Sequence, residues 1–169
     1  MKKLSALQRW LYGFGDLGFS LTSTIIGSYF AIFLTDVVGV KASVVAGAIF
    51  VGRTWDYIND PLIGHISDRT RTRWGRRRPF LLFGFLPLAL AFTMLWWRPP
   101  LHSALALAVY YAAAYLLFDT AATFNYMPYF ALTPELTDDY DERATLTTYR
   151  MTLAVPAYLI GAALTPAIV

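Results

Sequence analysis

The chain of 169 residues is 57% hydrophobic and 15% charged, whereas soluble domains average about 45–50% and about 25%. This composition excludes an ordinary soluble domain, and the 17% aromatic content excludes a disordered chain. A net charge of +3 is too small to indicate a nucleic-acid partner. The chain has no cysteine, which excludes disulfides, thiolate metal sites and a cysteine nucleophile. The lipid bilayer is therefore the expected solvent and partner.

Five apolar stretches follow one another, each long enough for a membrane-spanning helix of about 20 residues. They cover residues 7–34, 43–67, 79–97, 103–132 and 146–169. Their apolar residues are consecutive rather than alternating, which favours helices over the strands of a membrane barrel. Prolines and glycines fall at their ends. The sequence predicts an all-α, multi-pass membrane protein with about five helices.

Lysine and arginine lie mostly on one side of these predicted helices. Only Lys41 and Arg98 lie on the other side. Positive residues are retained in the cytoplasm, so we expect a cytoplasmic N-terminus in the cell membrane. The residues on the cytoplasmic side are Lys2, Lys3, Arg9, Arg69, Arg71, Arg73, Arg76, Arg77, Arg78 and Arg143.

Six charged residues fall inside or near the ends of the predicted helices. An unpaired charge at mid-bilayer costs about 2.5–3.5 kcal/mol, so these side chains must face one another or a water-filled cavity. Structural ion pairs between helices are one alternative, but pairing four acids with two bases leaves two carboxylates over. The six residues are Asp16, Arg53, Asp56, Asp60, Asp119 and Arg150.

The densest polar cluster lies in the second helix, where Asp56 and Asp60 are one turn apart on a face shared with Arg53 and Asn59. Two neighbouring carboxylates at membrane depth need a proton, the Arg53 guanidinium or a bound cation. Oxygen ligands of this kind suit a hard cation such as sodium. The spacing leaves all three choices open. Pro61 removes a helix hydrogen bond beside this pair, as expected near an ion site.

The first and fourth helices also carry acids. In the first, Gly13, Gly15 and Asp16 match the GxGD of intramembrane aspartyl proteases. The partner Tyr-Asp of such proteases is missing from the predicted helices, since Tyr140 and Asp141 are predicted to lie in a loop. The protease alternative is therefore weak.

Residues 64–78 place one acid and six arginines between the second and third helices. This segment is either a basic patch that sets topology or binds lipid, or a more specific cytoplasmic device. The glycines and the regular spacing of its arginines favour the device.

Together, these motifs are similar to the glycoside-pentoside-hexuronide:cation symporters of the major facilitator superfamily, the family of the melibiose carrier. The resemblance covers essentially the whole chain. The matching segments are YGFG at residues 12–15, TDVVG at 35–39, WDYINDP at 55–61, the loop 64–78, and PYFALTPEL at 128–136 with the residues that follow it to 150.

The resemblance implies a coupling-cation site for Na⁺, Li⁺ or H⁺ at Asp56, Asn59, Asp60 and Thr123, with Asp56 and Asp60 holding the ion. No other cofactor is expected. It also implies that Arg150 lies at the substrate pocket. The cytoplasmic gating loop that it implies includes Gly64, Asp68, Arg69, Gly75, Arg76 and Arg77.

The sequence departs from the family at the sugar-binding positions. The two sugar-binding aspartates fall on Ser20 and Tyr126, and the stacking tryptophan falls on Phe130. Asp16 and Asp119 are our candidates for carboxylates supplied from shifted positions. The substrate is expected to be a sugar or glycoside, with a lysolipid also possible.

We therefore expect part of a secondary active transporter, and not an enzyme. Family members have two six-helix halves, so the chain resembles an N-terminal bundle cut before its sixth helix, with the second half missing, and alone should not transport. A magnesium-dependent intramembrane prenyl or diphosphate transferase is an alternative, on the aspartates at 56–68 and 138–142. A second alternative is a truncated partner subunit that does not itself transport.

Overall fold

The computed structural model describes residues 4–168, with side chains up to residue 163. Within this part the chain is helical and contains no strand, which confirms the all-α fold class. Lys2, Lys3 and Val169, which enter the predictions of orientation and chain end, lie outside the described residues. The α-helices are α1 Ala6–Ile25, α2 Ala42–Arg69, α3 Arg78–Trp96, α4 Ala104–Phe130, α5 Thr133–Leu136 and α6 Tyr140–Ile168.

Helix α1 begins at a capping box and is followed by π-helical turns. The Ser5 hydroxyl accepts a hydrogen bond from the Gln8 N–H (3.3 Å), and the Gln8 side chain accepts one from the Ser5 N–H (2.9 Å). This exchange satisfies donors that the first turn leaves unpaired. The π-helical turns Ile26–Phe30 and Phe33–Val38 carry the chain past the predicted end at residue 34. Gly39 then ends them in the left-handed conformation, with φ of +83°.

Helices α2 and α3 lie within two residues of the predicted bounds at each end. Pro61 is accommodated inside α2, which continues for two further turns. Pro79 lies in the first turn of α3, where its missing N–H removes no helix hydrogen bond.

The start of the last helix corrects the sequence-based prediction. Tyr140, Asp141 and Arg143 were predicted to lie in a loop, but α6 begins at Tyr140. Asp139 explains this start, because its carboxylate accepts a hydrogen bond from the Asp141 N–H (3.0 Å) and its carbonyl accepts one from the Arg143 N–H (3.1 Å). Acids in a first helical turn also oppose the positive end of the helix dipole.

The chain divides into two compact units. The first unit contains the described residues up to Tyr29 and those from Ala131 onward, and its core is the packing of α1 against α6. Gly13 permits the close approach, because a Cβ there would lie 3.0 Å from the Tyr149 carbonyl oxygen. Trp10 packs edge-on against the Tyr149 ring, with centroids 4.8 Å apart.

The second unit is Phe30–Phe130, in which α4 packs against both α2 and α3. Its core includes aromatic rings at one end of these helices. Phe30 stacks on Tyr115 with centroids 5.6 Å apart, and Phe33 lies 5.2 Å from Trp96. Glycines hold the helices close on both sides of α4: Gly52 of α2 lies against the Tyr115 ring, and Gly84 of α3 lies against the Asn125 side chain.

In the part of the chain that the structure describes, two stretches are long and apolar enough by composition to cross a membrane, Arg78–Trp96 and Ala104–Leu136. Five of the six charged residues that the sequence placed at membrane depth lie on the other long helices, α1, α2 and α6, and the sixth, Asp119, lies on α4.

Candidate functional site

Two pairs of polar side chains face each other between α2 and α4, and we call them the α2–α4 site. Asp60 Oδ1 accepts a hydrogen bond from Thr123 Oγ1 at 3.1 Å. One turn earlier on both helices, the side chain of Asp56 lies close enough to that of Asp119 for the two carboxyl groups to interact. The (i, i+4) spacing on each helix places both pairs on one face. The structure therefore gathers three carboxyl groups and a hydroxyl between two helices.

The Asp56–Asp119 contact has a chemical consequence. Asp119 Oδ2 is buried, and no donor from the described part of the protein reaches it. An ionised carboxylate only accepts hydrogen bonds, so two carboxyl groups in contact need a proton or a cation. Asp119 thus lies beside a predicted cation-site residue, although the sequence analysis assigned it to the substrate.

Asn59 and Arg53 complete the surroundings of the α2–α4 site. Asn59 is 1% exposed, and its Nδ2 has no hydrogen-bond partner among the described residues. Arg53 approaches Asp56 only to 3.9 Å, and 68% of its side chain is exposed. Arg53 therefore provides a partial counter-charge and leaves the carboxyl pair able to hold another cation.

Helices α2 and α4 pack closely beside the acids because of residues next to the site. Gly52, one turn before Asp56, leaves no side chain against the buried Tyr115 ring. Trp55 Nε1 donates a hydrogen bond to Thr120 Oγ1 at 3.0 Å, which fixes the register beside the acids. Sequence reasoning missed Thr120 and Tyr115, since neither belongs to a polar motif.

No group of three or more His, Cys, Asp or Glu side chains within residues 4–163 is arranged to hold a metal ion by itself. A cation at the α2–α4 site would thus depend on two carboxylates with amide, hydroxyl or water oxygens, a donor set that fits Na⁺. The transferase alternative, which needs two aspartate-rich magnesium clusters, gains no support from the geometry.

Three predicted substrate residues lie in the first unit. Asp16 Oδ2 and Arg150 Nε are 3.2 Å apart and form an ion pair between α1 and α6, with side chains 9% and 13% exposed. Ser20, one turn after Asp16, is buried on the same face. The pair combines a positive and a negative group in a mostly buried setting.

The other predicted substrate residues, Tyr126 and Phe130, lie with Asp119 in the second unit, on α4. The rings of Tyr126 and Phe130 meet edge to face with centroids 4.0 Å apart. Tyr126 is 40% exposed, so its ring presents an aromatic surface beyond the helix core.

The predicted gating loop, residues 64–78, is only partly a loop, because Gly64, Asp68 and Arg69 belong to the last turns of α2 and α3 begins at Arg78. Asp68 Oδ1 accepts a hydrogen bond from Arg77 Nη2 at 2.8 Å, which connects the end of α2 to the start of α3. The Ser67 hydroxyl donates to the Gly64 carbonyl at 2.9 Å, and Gly75 forms a turn with φ of +99°. Arg69 and Arg76 are exposed.

One ion pair had no signal in the sequence. Arg9 of α1 binds Glu142 of α6 through two of its guanidinium nitrogens, Nε to Oε1 at 2.8 Å and Nη2 to Oε2 at 2.9 Å. Nearby, the hydroxyl groups of Tyr12 and Thr133 share a hydrogen bond of 2.5 Å. These partners are more than 120 positions apart in sequence, which hid them from local patterns.

The amino-acid sequence of the chain is similar to that of known membrane transporters. The profile of a family described as MFS/sugar transport protein matches residues 11–169. The chain belongs to this family. The resemblance to the major facilitator superfamily is therefore confirmed, and with it the assignment to a multi-pass membrane protein.

Relatives in several organisms share this segment. An uncharacterized symporter of Synechocystis is 39% identical over 95% of the chain and 30% of its own length. A sodium-dependent lysophosphatidylcholine symporter of Danio rerio is 32% identical over 96% of the chain and 30% of its own length. The inner membrane symporter YicJ of Escherichia coli is 34% identical over 95% of the chain and 35% of its own length. The chain thus spans about a third of the length of these relatives.

Proposed function

We propose that the protein carrying these residues is a cation-coupled symporter, with its coupling cation at the α2–α4 site. The observation that carries the proposal is the facing of Asp56 with Asp119 and of Asp60 with Thr123 between two membrane helices. Intramembrane carboxyl groups of this kind mark ion and proton pathways. The Danio rerio relative is a sodium-dependent symporter by name, which supports Na⁺ as the first candidate. Li⁺ and H⁺ are the alternatives.

In this proposal Asp60 and Thr123 supply oxygen ligands. Asn59, which directly precedes Asp60, is buried and is the candidate for a further oxygen ligand. Asp119 belongs to the cation site rather than to the substrate site, because its contact is with Asp56. A bound Na⁺ offsets the repulsion between the negatively charged carboxylates of α2 and α4. The free energy gained favours the conformation with the substrate pocket formed, so cation and substrate raise each other's affinity by the same factor.

The substrate proposed first is a sugar or glycoside, in line with the description of the family. Within the first unit, Asp16 and Ser20 offer hydrogen-bond acceptors and a donor. The cytoplasmic gating loop, with its Asp68–Arg77 bond, would hold α2 and α3 together while the pocket is open on the other side.

A lysophospholipid is the second candidate. The two sugar-binding aspartates of the family are replaced by Ser20 and Tyr126, whereas the Asp16–Arg150 pair carries both signs of charge. Such a pair matches a zwitterionic head group, with phosphate at the arginine and ammonium at the aspartate. The name of the Danio rerio relative supports this class.

Uptake into proteoliposomes tests the proposal. We would reconstitute the full-length protein and impose sodium, lithium or proton gradients with labelled lysophosphatidylcholine or a labelled galactoside outside. We expect saturable uptake of one of the two substrates, driven by one of the cations and absent in empty vesicles. Uptake of neither, or uptake independent of every gradient, would contradict symport.

A further inference from the structure

The connection between α2 and α3, together with the helix ends on either side of it, carries more positive charge than the gating contact uses. Residues 64–78 contain six arginines and one acid, Asp68. That acid already accepts a hydrogen bond from Arg77, whose side chain is 10% exposed. Arg71, Arg73 and Arg78 are exposed. The loop thus presents a positive surface that no acid of its own segment balances.

Part of this surface lies on a hydrogen-bonded turn at residues 72–75. The Thr72 hydroxyl donates a hydrogen bond to the Gly75 carbonyl (2.7 Å) and accepts one from the Trp74 N–H (3.2 Å). The Gly75 N–H donates to the Thr72 carbonyl (3.0 Å), and Gly75 takes the positive φ of +99° that favours glycine. Arg73 and Trp74 therefore project from a defined turn.

Aromatic and aliphatic groups lie directly beside the arginines. The Arg73 guanidinium carbon is 4.7 Å from the Trp74 ring centroid. The Trp74 ring lies 5.9 Å from Phe83 on α3, and Phe83 is 61% exposed, as are large parts of Leu82 and Leu86. Tryptophan with one apolar and one wet side is typical of the membrane–water boundary. The apolar surface of α3 and the arginines thus meet at Trp74.

We propose that Arg71, Arg73, Trp74 and Arg78 form a docking surface for the head groups of anionic phospholipids in the leaflet that this loop faces. The guanidinium groups bind lipid phosphates, and Trp74 lies at the level of the glycerol backbone with Phe83 below it among the acyl chains. Charge complementarity selects an anionic lipid over a zwitterionic one. The site does not depend on the substrate or cation, so it stands or fails apart from the symport proposal.

Native mass spectrometry of the full-length protein, titrated with phosphatidylglycerol or phosphatidylcholine, tests this surface. We expect tighter binding of phosphatidylglycerol, weakened about fivefold for each arginine removed in the Arg71→Gln, Arg73→Gln double variant. The Arg71→Lys, Arg73→Lys variant should retain most of the affinity, because its charge is kept. Trp74→Ala should reduce affinity without removing the selectivity for the anionic lipid.

The matched control removes the same charge elsewhere. Lys41 and Arg98 are exposed and lie outside the loop, so the Lys41→Gln, Arg98→Gln variant should bind phosphatidylglycerol as the unmodified protein does. Equal loss of lipid in both glutamine variants would overturn the proposal, since it would show an effect of net charge alone. Displacement of the lipid by inorganic phosphate would also overturn it, by showing a site for the free anion, and so would equal binding of both lipids.

Discussion

Some buried acids of this chain lie beside a basic side chain and others lie beside another acid. This difference distinguishes a structural ion pair from a candidate cation site. Asp16 faces Arg150 at 3.2 Å, so its charge is balanced within the protein. Asp56 faces another carboxyl group, that of Asp119, and its partial counter-charge is the exposed guanidinium of Arg53, 3.9 Å away. A balanced pair resists a cation, whereas an unbalanced carboxyl pair attracts one. The α2–α4 site is thus the better candidate for the ion.

The Asp16–Arg150 pair should be strongly coupled in stability. Asp16→Asn leaves a mostly buried guanidinium without its partner charge, which typically costs about 3–5 kcal/mol of unfolding free energy. We expect a lower thermal midpoint for Asp16→Asn and for Arg150→Gln in the purified full-length protein, and partial recovery in the double variant.

Asp36→Asn is the matched control, since Asp36 is exposed and hydrogen-bonds only locally to Thr35. Its thermal midpoint should stay near that of the unmodified protein. Strictly additive losses in the double variant would show that the two side chains do not act as a pair. Unchanged uptake of the transported substrate by the Asp16→Ala variant would show that Asp16 does not belong to the substrate site.

At the scale of elements, the packing of α2 against α4 depends on one missing side chain. In Gly52→Ala the added methyl group collides with the ring of Tyr115, which is buried and stacked on Phe30. Overpacking of this kind costs about 1–3 kcal/mol. We expect Gly52→Ala to lower the thermal midpoint and to weaken cation binding, because it separates the helices that carry both halves of the site.

Gly47 provides a control in the same helix. It has no atom within 4 Å of its hypothetical Cβ, so Gly47→Ala should be neutral or stabilising by up to about 1 kcal/mol. Thermal unfolding of the two purified variants makes the comparison. Equal midpoints would argue against close α2–α4 packing.

The elements also show what the sequence could predict. The apolar runs and Pro79 predicted α2, α3 and α4 closely, because hydrophobic length and proline position are local signals. The acidic run at residues 138–142 looked like a solvated loop, yet the same acids favour a first helical turn once Asp139 caps it. The π-helical turns Ile26–Phe30 and Phe33–Val38 had no signal in the apolar pattern, which predicted a helix ending at residue 34.

The candidate site was only partly predictable. The one-turn spacing of Asp56 and Asp60 was visible locally, but Thr123 was found through family resemblance alone, 63 positions away. The contact of Asp119 with Asp56 and the Arg9–Glu142 pair depend on how helices meet, which no local pattern encodes.

At the scale of the whole molecule, the asymmetry of lysine and arginine makes orientation testable. The 169 residues contain no cysteine, so an introduced one is the only thiol in this segment. In oriented vesicles, we expect Thr72→Cys to react with an impermeant reagent from the cytoplasmic side and Ser103→Cys from the opposite side. Labelling of both from one side would contradict the predicted topology.

Sodium binding by the purified full-length protein tests the central claim, that the α2–α4 site holds the coupling cation. We would titrate sodium calorimetrically into the unmodified protein and into Asp60→Asn and Asp138→Asn, the last being an acid whose side chain is 91% exposed. The account predicts saturable binding to the unmodified protein and to Asp138→Asn, and its loss in Asp60→Asn. Sodium binding of unchanged affinity in Asp60→Asn would contradict it.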